Sequence, residues 1–465
     1  MRANQAAGSI LHVPYTYFPD LCGGTEVYVR GLAQRLFQLG YANAIAAPAA
    51  ASGTYEHAGL PVHRFATDLR RRLDLAYGVP DEIAAEGFRT IVAQVRPAIV
   101  HLHARTAAVS ERLADIARAA GARVIFTYHT PTVSCARGTM MLFGETPCDG
   151  TIETKRCTAC ALAGLGMPKS LACAAAAVPS MLYASAAPIA GSSKAWSALH
   201  IPSLLASGRQ RFLDFISKVD HVVAVSHWVR DVLRRNEVPV AKITLSRQGV
   251  DAPGQVPRPT VQRARAGPLK IAYFGRIDRA KGADLLARAL KLIPKVLVQI
   301  DIFALRQTGG ADKAYDWLAA QAPQDQRLTL RRAIAPDKVI GVMAEYDMIA
   351  VPSRLLETGP LVVLEAFAAG VPVIGANLGG IAELVRDGVN GILIAPDDVA
   401  AWAAAMLRLA EDRHAIEGLR ACITPPRTMD AVGDEMAMLY ARILSPKSPL
   451  PASSPLVEQG TWSVE

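Results

Sequence analysis

The chain has 465 residues, of which 51% are hydrophobic and 20% are charged, and its formal net charge is +9 at pH 7. This length and apolar content allow a large buried core in two domains, which excludes a disordered or fibrous protein. The modest positive charge suits anionic small molecules or an acidic membrane surface, and no nucleic-acid-binding motif accompanies it.

The first predicted elements are a strand over Ser9–Pro14 and an amphipathic helix that ends at Gly40. The residues before the strand lack the features of a secretory signal, so we expect a cytoplasmic protein. Gly23 and Gly24 directly precede the helix, where small residues let an anion approach the backbone amides of a helix N-terminus. A glycine pair also suits a plain turn, so it does not establish a ligand site by itself.

Strands and helices continue to alternate through the N-terminal half of the chain. This alternation predicts βαβ units and a parallel sheet, and therefore a doubly wound α/β domain over about 1–255. The predicted strands are 41–47, 99–103, 123–128 and 221–225, and the predicted helices are 81–94 and 107–119.

Three histidines, His101, His103 and His129, fall at or near the ends of these predicted strands. A histidine at a strand end is often a hydrogen-bonded structural residue. The carboxyl ends of parallel strands, however, are where open α/β sheets bind ligands. His129 lies in the segment TYHTP directly after a strand, so we expect it to face such a cleft.

An irregular insertion over about 135–208 interrupts the pattern. Its cysteines follow the spacing C-x12-C-x8-C-x2-C, and the closing CxxC is typical of a knuckle that places two thiolates on one tetrahedral ion. The sequence predicts either a structural zinc or iron–sulfur site or a set of unligated thiols. The four residues are Cys135, Cys148, Cys157 and Cys160.

The segment Leu171–Gly191 carries no charge, yet its prolines and serines favour an internal or interfacial helical pair over a membrane span. Basic residues follow, including a basic helix that starts near Trp228. Apolar surface beside cations is typical of a peripheral face on an anionic membrane, whereas simple packing with solvated cations is the alternative. The cations are Lys194, Arg209, Arg211, Lys218, Arg234 and Arg235.

A Pro-, Gly- and Arg-rich stretch predicts an interdomain linker at 256–268, and a second α/β domain follows over 269–443. After its first strand, 269–274, come Arg276 and Lys281, whose positions above the sheet suit donors to a pyrophosphate. Surface solvation is the alternative for either cation alone. The Pro- and Ser-rich tail, 444–465, is predicted to be disordered.

The stretch 347–375 reads as strand, loop, helix and strand. Pro360 suits the first helical position, Leu361 begins the predicted helix and Gly370 ends it. Glu365 is the single charge on this apolar helix and lies eight positions after Glu357 in the preceding loop. A carboxylate in such a helix is costly unless a partner pairs with it, so Glu365 either bonds to neighbouring backbone or a cation, or contacts a ligand.

Four segments together resemble the retaining glycosyltransferases of family 4, which have the GT-B fold of two Rossmann-like doubly wound domains facing across a cleft. The resemblance covers about residues 8–440. One departure is visible at 304–310, ALRQTGG, where the family usually has a small turn. The segments are GGTE at 23–26, YHT at 128–130, FGRIDRAKG at 274–282, and the E-x7-E motif within 357–374.

The resemblance implies a nucleotide-diphosphate sugar donor held by the C-terminal domain and an acceptor held by the N-terminal domain, with no catalytic metal. By similarity, Arg276 and Lys281 would hold the diphosphate, and Gly24 would approach it beside Gly23. Glu365 would bind the ribose and Glu357 the transferred sugar. The remaining implied site residues are His129 near the anomeric centre, and Gly359, Pro360 and Leu361 at the helix start.

The family also implies front-face attack, because the sequence offers no obvious carboxylate nucleophile. A lipid-linked sugar is the predicted acceptor if the membrane face exists, as in assembly of bacterial surface polysaccharide. Two other functions stay open: a GT-B epimerase or phosphorylase, and a non-catalytic partner of another transferase. Turnover of a nucleotide-sugar without acceptor distinguishes the first of these.

Overall fold

The computed structural model describes residues 8–20, 23–70, 73–183, 194–251, 267–305 and 313–445. Nearly all of the predicted tail and of the predicted linker lies outside these ranges, as does most of the 304–310 segment. The described chain forms two α/β units, each built on a largely parallel sheet with helices on both faces.

The N-terminal unit contains the first ten strands and nine α-helices of the described chain. The strands are β1 Ser9–Val13, β2 Ala42–Ala49, β3 Gly53–His57, β4 Leu60–Ala66, β5 Ile99–Leu102, β6 Arg123–Tyr128, β7 Met141–Leu142, β8 Thr146–Pro147, β9 His221–Ala224 and β10 Ile243–Leu245. The helices are α1 Gly24–Gln38, α2 Leu73–Ala76, α3 Glu82–Val95, α4 Glu111–Ala119, α5 Thr154–Gly164, α6 Lys169–Ala177, α7 Lys194–Ala206, α8 Gly208–Lys218 and α9 His227–Arg235.

In the described part of the chain the first sheet has eight strands in the order β10-β9-β6-β5-β1-β2-β4-β3, and only the β3–β4 pair is antiparallel. Alternate residues of each central strand enter opposite cores. Leu11 and Val100 pack on the side of α3 and α4, whereas Ile10 and Ile99 pack on the side of α1. Since helices cover both faces, these strands are apolar along their length.

The C-terminal unit repeats this architecture. Its strands are β11 Leu269–Arg276, β12 Val298–Leu305, β13 Leu328–Arg332, β14 Met348–Val351, β15 Val373–Ala376 and β16 Gly391–Ile394. The following helices complete the described chain: α10 Ala283–Leu292, α11 Lys313–Gln321, α12 Val339–Met343, α13 Leu361–Ala368, α14 Gly379–Leu384, α15 Val399–Glu411, α16 Arg413–Ala421 and α17 Met429–Leu444.

The second sheet is parallel, with the order β13-β12-β11-β14-β15-β16 among the described residues. The chain order reverses between β11 and β14, which makes their carboxyl ends a topological switch point where open α/β sheets bind ligands. One face packs Leu286 of α10 and Trp402 of α15, and the other packs Val363 of α13. The predicted second doubly wound domain is confirmed.

The last helix, α17, lies against the N-terminal unit although the sequence assigned it to the C-terminal domain. Arg35 of α1 forms an ion pair with Asp434 at 2.8 Å, and Tyr440 lies 2.6 Å from the ring of His101, measured from its hydroxyl oxygen to Nδ1. The predicted domain range 269–443 therefore needs correction at its end. After α16 the chain returns to the N-terminal unit, and the apolar face of α17 completes the core beside α1.

The strands and helices that the sequence predicted match the structure within a few residues, but several elements were not predicted, among them α5 and α11. The hairpin of β3 and β4 was missed, because β3 is a half-exposed edge strand and Pro61 interrupts the β4 pattern. Pro360 caps α13, and this helix begins at Leu361 as predicted. Within the described ranges, no helix combines the length and apolar character required to cross a membrane.

Candidate active site at the seam between the two domains

The carboxyl ends of the two sheets face each other, and direct hydrogen bonds join them. The hydroxyl of Thr358 donates to the backbone carbonyl of His129, and the indole N–H of Trp228 donates to the carbonyl of Glu357 at 2.9 Å. Glu383 accepts from the first two backbone amides of α9, each at 2.9 Å. The residues after β6 and β9 are therefore held against the loop between β14 and α13.

We call this interface between the two domains the seam. Two helix N-termini meet there. Gly24, at the start of α1, lies so close to Leu361, at the start of α13, that a Cβ on the glycine would be 3.3 Å from the leucine side chain. The carboxylate of Glu26 accepts from the amide of Gly23 at 2.7 Å, which stabilises the turn before α1. Two such ends give the seam a positive potential that favours an anion.

The strongest ion pair in the seam joins Lys281 to Glu357, with 2.7 Å between Nζ and Oε1. Ser353 donates to the same carboxylate oxygen, also at 2.7 Å. The side chains of Lys281 and Glu357 are 26% and 12% exposed, so both are partly shielded from water yet reachable. Partial burial makes a fixed ammonium group more effective toward a bound anion than one in bulk water.

Gly282 brings the Lys281 loop against the β14 loop. Its φ is 73°, and a Cβ at this position would lie 1.9 Å from the backbone oxygen of Pro352. Only glycine allows both this conformation and this approach. The close contact places Lys281 within reach of Glu357.

Arg276, the last residue of β11, has a side chain that is 50% exposed, and its nearest acid is Asp278 at 3.6 Å. The hydroxyl of Tyr273 donates to the carbonyl of Arg276 at 2.5 Å and thereby fixes the backbone there. Arg276 also acts electrostatically on Glu26 from the other domain, because its positive charge lowers the pKa of that carboxyl, whereas burial raises it by more.

Glu365 lies in the second turn of α13, half-buried, and its carboxylate has no hydrogen-bond partner among the described residues. Burial raises its pKa to about 7. A carboxylate that is desolvated but unpaired gains most from a ligand that donates hydrogen bonds. Pro360 and Gly359 lead into this helix; Pro360 is buried and Gly359 lies against the side chain of Gln248.

His129 directly follows β6, at the carboxyl edge of the sheet, and it is buried. Its Nε2 lies 3.1 Å from Nδ1 of His103, and its Nδ1 lies 3.3 Å from the amide nitrogen of Gln248. Burial lowers the pKa of His129 to about 3, so the ring is neutral at ordinary pH. The ring also packs against Tyr28 of α1.

Sequence reasoning missed three residues of this seam: Trp228, Gln248 and Glu383. Trp228 was noticed only as part of a basic helix, and Glu383 lies in a helix that carries no pattern of its own. Their importance depends on contacts between elements distant in sequence. The usable signal was the position of Gln248 directly after a predicted strand.

The four cysteines of the insertion line one cavity but do not form a ligand group. Across the described chain, the only set of three or more His, Cys, Asp or Glu ligand atoms within 4.8 Å of one another comprises His12, His101 and His103. The predicted shared metal on the cysteines is therefore not supported. Cys160 instead accepts from the amide of Phe143 at 3.1 Å, and burial raises the pKa of Cys157 to about 11.

The insertion contacts the loop of Glu357, because the amide of Leu356 donates to the carbonyl of Thr139 at 3.0 Å. Met140 and Met141 also enter the apolar cluster beside α13. The insertion thus supports the seam by packing.

Several of the cations predicted to face a membrane have partners within the protein. Arg209 pairs with Glu237 at 2.9 Å, and Lys218 pairs with Asp115 at 2.7 Å. Arg211 donates to the carbonyl of Tyr77, and Arg235 donates to that of Asp149. The side chain of Lys194 and residues 184–193 lie outside the description. Four apolar side chains of the segment are exposed: Leu171, Val178, Met181 and Leu182.

Two family profiles match the chain. One, described as a glycosyl transferase 4-like domain, matches residues 23–249, and the other, described as glycosyl transferases group 1, matches residues 268–412. Together they span most of both α/β units, up to residue 412.

Among curated proteins, a glycogen synthase of Mycobacterium tuberculosis is 32% identical over 185 residues, 38% of this chain and 42% of that protein. A D-inositol 3-phosphate glycosyltransferase of Mycolicibacterium vanbaalenii is 30% identical over 217 residues, 43% of this chain and 47% of that protein. The matched part of this chain thus spans less than half the length of either relative.

Among solved structures, sucrose-phosphate synthase of Thermosynechococcus elongatus superposes with a TM-score of 0.65 at 18% identity, over 94% of this chain and 99% of that one. HepE of Anabaena, solved with UDP and glucose, superposes with a TM-score of 0.57 at 15% identity, over 94% of this chain and 97% of that one. At these identities the likeness shows the fold.

Proposed function

The chain belongs to the group 1 glycosyltransferases, with two Rossmann-like domains in the GT-B arrangement, and from this premise we propose that it transfers a sugar, with retention of configuration, from a nucleotide-diphosphate sugar to a hydroxyl acceptor. The observation that carries the proposal is the convergence at the seam of Lys281, Arg276 and two helix N-termini. Such a set is suited to the growing negative charge of a departing diphosphate.

The donor would lie along the C-terminal edge. Lys281 and Arg276 would contact the diphosphate, and the amides at the start of α13, after Gly359 and Pro360, would complete its coordination. Glu365, unpaired and half-buried, would accept from the ribose hydroxyls. Glu357 would then exchange part of its contact with Lys281 for hydroxyls of the transferred sugar.

The reaction would proceed at one face of the sugar. The bond between the anomeric carbon and the diphosphate oxygen breaks, the acceptor oxygen forms a bond on the same face, and the acceptor proton passes to the leaving phosphate oxygen. The described seam offers His129 as a neutral ring near this place. Its role would be to orient hydroxyls, because its low pKa makes it a poor proton acceptor.

The acceptor would approach from the N-terminal domain, and we propose a lipid-linked sugar. Met181 and Leu182, at 86% and 72% exposed, form with Leu171 and Val178 an apolar surface on the insertion of that domain. Such a surface suits shallow contact with the membrane interface. This contact would deliver a lipid-linked acceptor to the seam.

The test is a donor screen followed by product analysis. We expect one of a panel of UDP-, GDP- and ADP-sugars to raise the melting temperature by mass action. With that donor and a lipid-linked or simple sugar acceptor, NMR of the anomeric proton should show the configuration of the donor retained. An inverted product would overturn the proposed mechanism.

The same assay separates the alternatives. Release or rearrangement of the donor sugar in the absence of acceptor would indicate an epimerase or phosphorylase. Failure of every donor to bind would favour a non-catalytic partner. Lys295→Ala is a suitable control, because this lysine is exposed on the C-terminal domain away from the seam.

A further inference from the structure

A row of buried histidines crosses the N-terminal sheet and ends at the seam. Nδ1 of His12 lies 3.1 Å from Nε2 of His103, and Nδ1 of His103 lies 3.1 Å from Nε2 of His129. The rings belong to the adjacent strands β1, β5 and β6 or follow them directly, which brings them into line. Asn43 of β2 is at one end, and Gln248 is at the other.

The direction of these hydrogen bonds is set at Asn43. The carbonyl of Tyr41 can only accept, so the side-chain amide nitrogen of Asn43 must face it, and the two atoms are 2.9 Å apart. The oxygen of Asn43 then faces Nε2 of His12 at 3.2 Å. Because an amide oxygen only accepts, Nε2 of His12 must carry the hydrogen.

The remaining directions follow, since a neutral imidazole has one N–H and one acceptor nitrogen. Nδ1 of His12 accepts from Nε2 of His103, and Nδ1 of His103 accepts from Nε2 of His129. Burial keeps all three rings neutral, because it lowers the pKa of His12 to about 4, that of His129 to about 3, and that of His103 well below its usual value.

Gln248 is the last member of the row. Nδ1 of His129 is an acceptor, so the amide nitrogen of Gln248 must donate to it at 3.3 Å. The amide oxygen of Gln248 is consequently turned the other way, where it is buried without a hydrogen-bond partner among the described residues. It lies beside Gly359 in a cavity between the domains that Thr358 and Glu383 also line.

We propose that Asn43 is a positioning residue which, through His12 and His103, fixes the tautomer of His129 and thereby makes Gln248 present its amide oxygen to a hydroxyl of the bound substrate. The sugar nature of that hydroxyl rests on the proposed function. The buried, unpaired oxygen is costly without a ligand, so a hydroxyl that donates to it would recover the lost hydrogen bond. Gln248 is then a specificity-determining contact.

Metal binding is the competing explanation for this cluster, because ligand nitrogens of His12, His101 and His103 lie within 4.8 Å of one another. The hydrogen bonds argue against it. Both nitrogens of His101 have oxygen partners, at 2.6 Å in Tyr440 and 2.7 Å in Thr127. A metal ion would have to displace several bonds of a satisfied network.

The direct test is NMR of the full-length protein labelled with ¹⁵N-histidine. We expect nitrogen–nitrogen couplings across the two hydrogen bonds, from His12 to His103 and from His103 to His129, with the hydrogen on Nε2 of each donor. Absence of both couplings in the folded protein would overturn the proposal. Bound Zn²⁺ at this cluster, measured by elemental analysis after purification and after Zn²⁺ addition, would also overturn it.

Variants of Asn43 test its control over the distant ring. In Asn43→Leu the ¹⁵N resonance of His129 Nδ1 should move away from the position of an unprotonated nitrogen. Asn43→Asp keeps an acceptor oxygen and should return this resonance to its wild-type position. Asn390→Leu removes a buried asparagine that bonds only within the C-terminal domain, and it should leave His129 unchanged. If Asn43→Leu leaves His129 unchanged while folded, the positioning role fails.

Kinetics extend the test to substrate. Asn43→Leu should lower kcat by about tenfold, the effect of one misplaced hydrogen bond, and Asn43→Asp should recover most of it. Gln248→Leu should raise KM without altering the couplings between histidines. Couplings present in a protein without transferase activity would contradict the proposed function alone, whereas activity without couplings would contradict the histidine row alone.

Discussion

The two edges of the seam differ in electrostatic character. The N-terminal edge presents neutral rings and amides that are buried, such as His129 and Gln248, whereas the C-terminal edge presents partly exposed charges, such as Lys281 and Arg276. Buried neutral groups select by hydrogen-bond direction, and accessible cations attract anions. The contrast supports the proposal that the C-terminal edge binds a phosphate-containing ligand and the N-terminal edge binds neutral hydroxyls.

The largest effect should come from removing a cation of the C-terminal edge. Lys281→Ala should lower kcat about a hundredfold or more, since one preorganised donor to a developing charge is worth that much. Arg276→Ala should act similarly, measured in steady-state kinetics with the donor found by screening. Wild-type turnover in both variants, with Lys295→Ala also normal, would remove the basis for the contrast between the edges.

Gly282 tests how the C-terminal edge is assembled. Gly282→Ala should lower the free energy of unfolding by more than about 3 kcal/mol and weaken donor binding, because the added Cβ collides with the backbone at Pro352. Gly388→Ala is the matched control, since its φ of 68° is similar but nothing lies within 4 Å of its Cβ position. The control should cost only about 1–2 kcal/mol, and equal losses in denaturant unfolding would contradict the close-contact argument.

Glu365 makes donor binding depend on pH. Burial raises the pKa of its carboxyl to about 7 in the free protein. Hydrogen bonds from hydroxyls of the nucleotide sugar favour the ionised carboxylate, so binding of the nucleotide sugar lowers this pKa. The affinity for the nucleotide sugar should therefore reach its maximum above pH 7 and fall by at most about tenfold per pH unit below it. Calorimetry over pH 5.5–8.5, a range chosen to span about 1.5 units on each side, measures this effect.

Glu365→Gln should bind the donor with little dependence on pH over the same range. If binding by the wild type also shows no dependence on pH, Glu365 does not accept hydrogen bonds from the nucleotide sugar. The histidines of the N-terminal edge should contribute nothing here, because their depressed pKa values leave them neutral throughout this range.

The smallest effect concerns the apolar surface of the N-terminal insertion. The double variant Met181→Glu, Leu182→Glu should bind liposomes several-fold more weakly than the wild type, because it places charge on the surface that would enter the interface. Replacing Arg235 by alanine should matter less, since this side chain already donates to the protein backbone. Vesicle co-sedimentation measures both, and no wild-type binding would remove the proposal of a lipid-linked acceptor.

The sequence alone predicted two doubly wound domains, because apolar strand runs and helix periodicity are local signals. It also predicted that His129 follows a strand, and His129 does follow β6 at the seam. Lys281 and Glu357 were identified by resemblance as candidates, and the structure places them 2.7 Å apart.

Only the tertiary structure decided which groups work together across the domains. The row from Asn43 to Gln248 joins strands from distant parts of the chain, so no local sequence pattern predicts it. The cysteine spacing left a shared metal and unligated thiols both open, and among the described residues the four thiols do not come together as a ligand group. Spacing along a chain constrains a site only when its residues share one element, whereas hydrogen-bond direction and burial depend on every element packed around it.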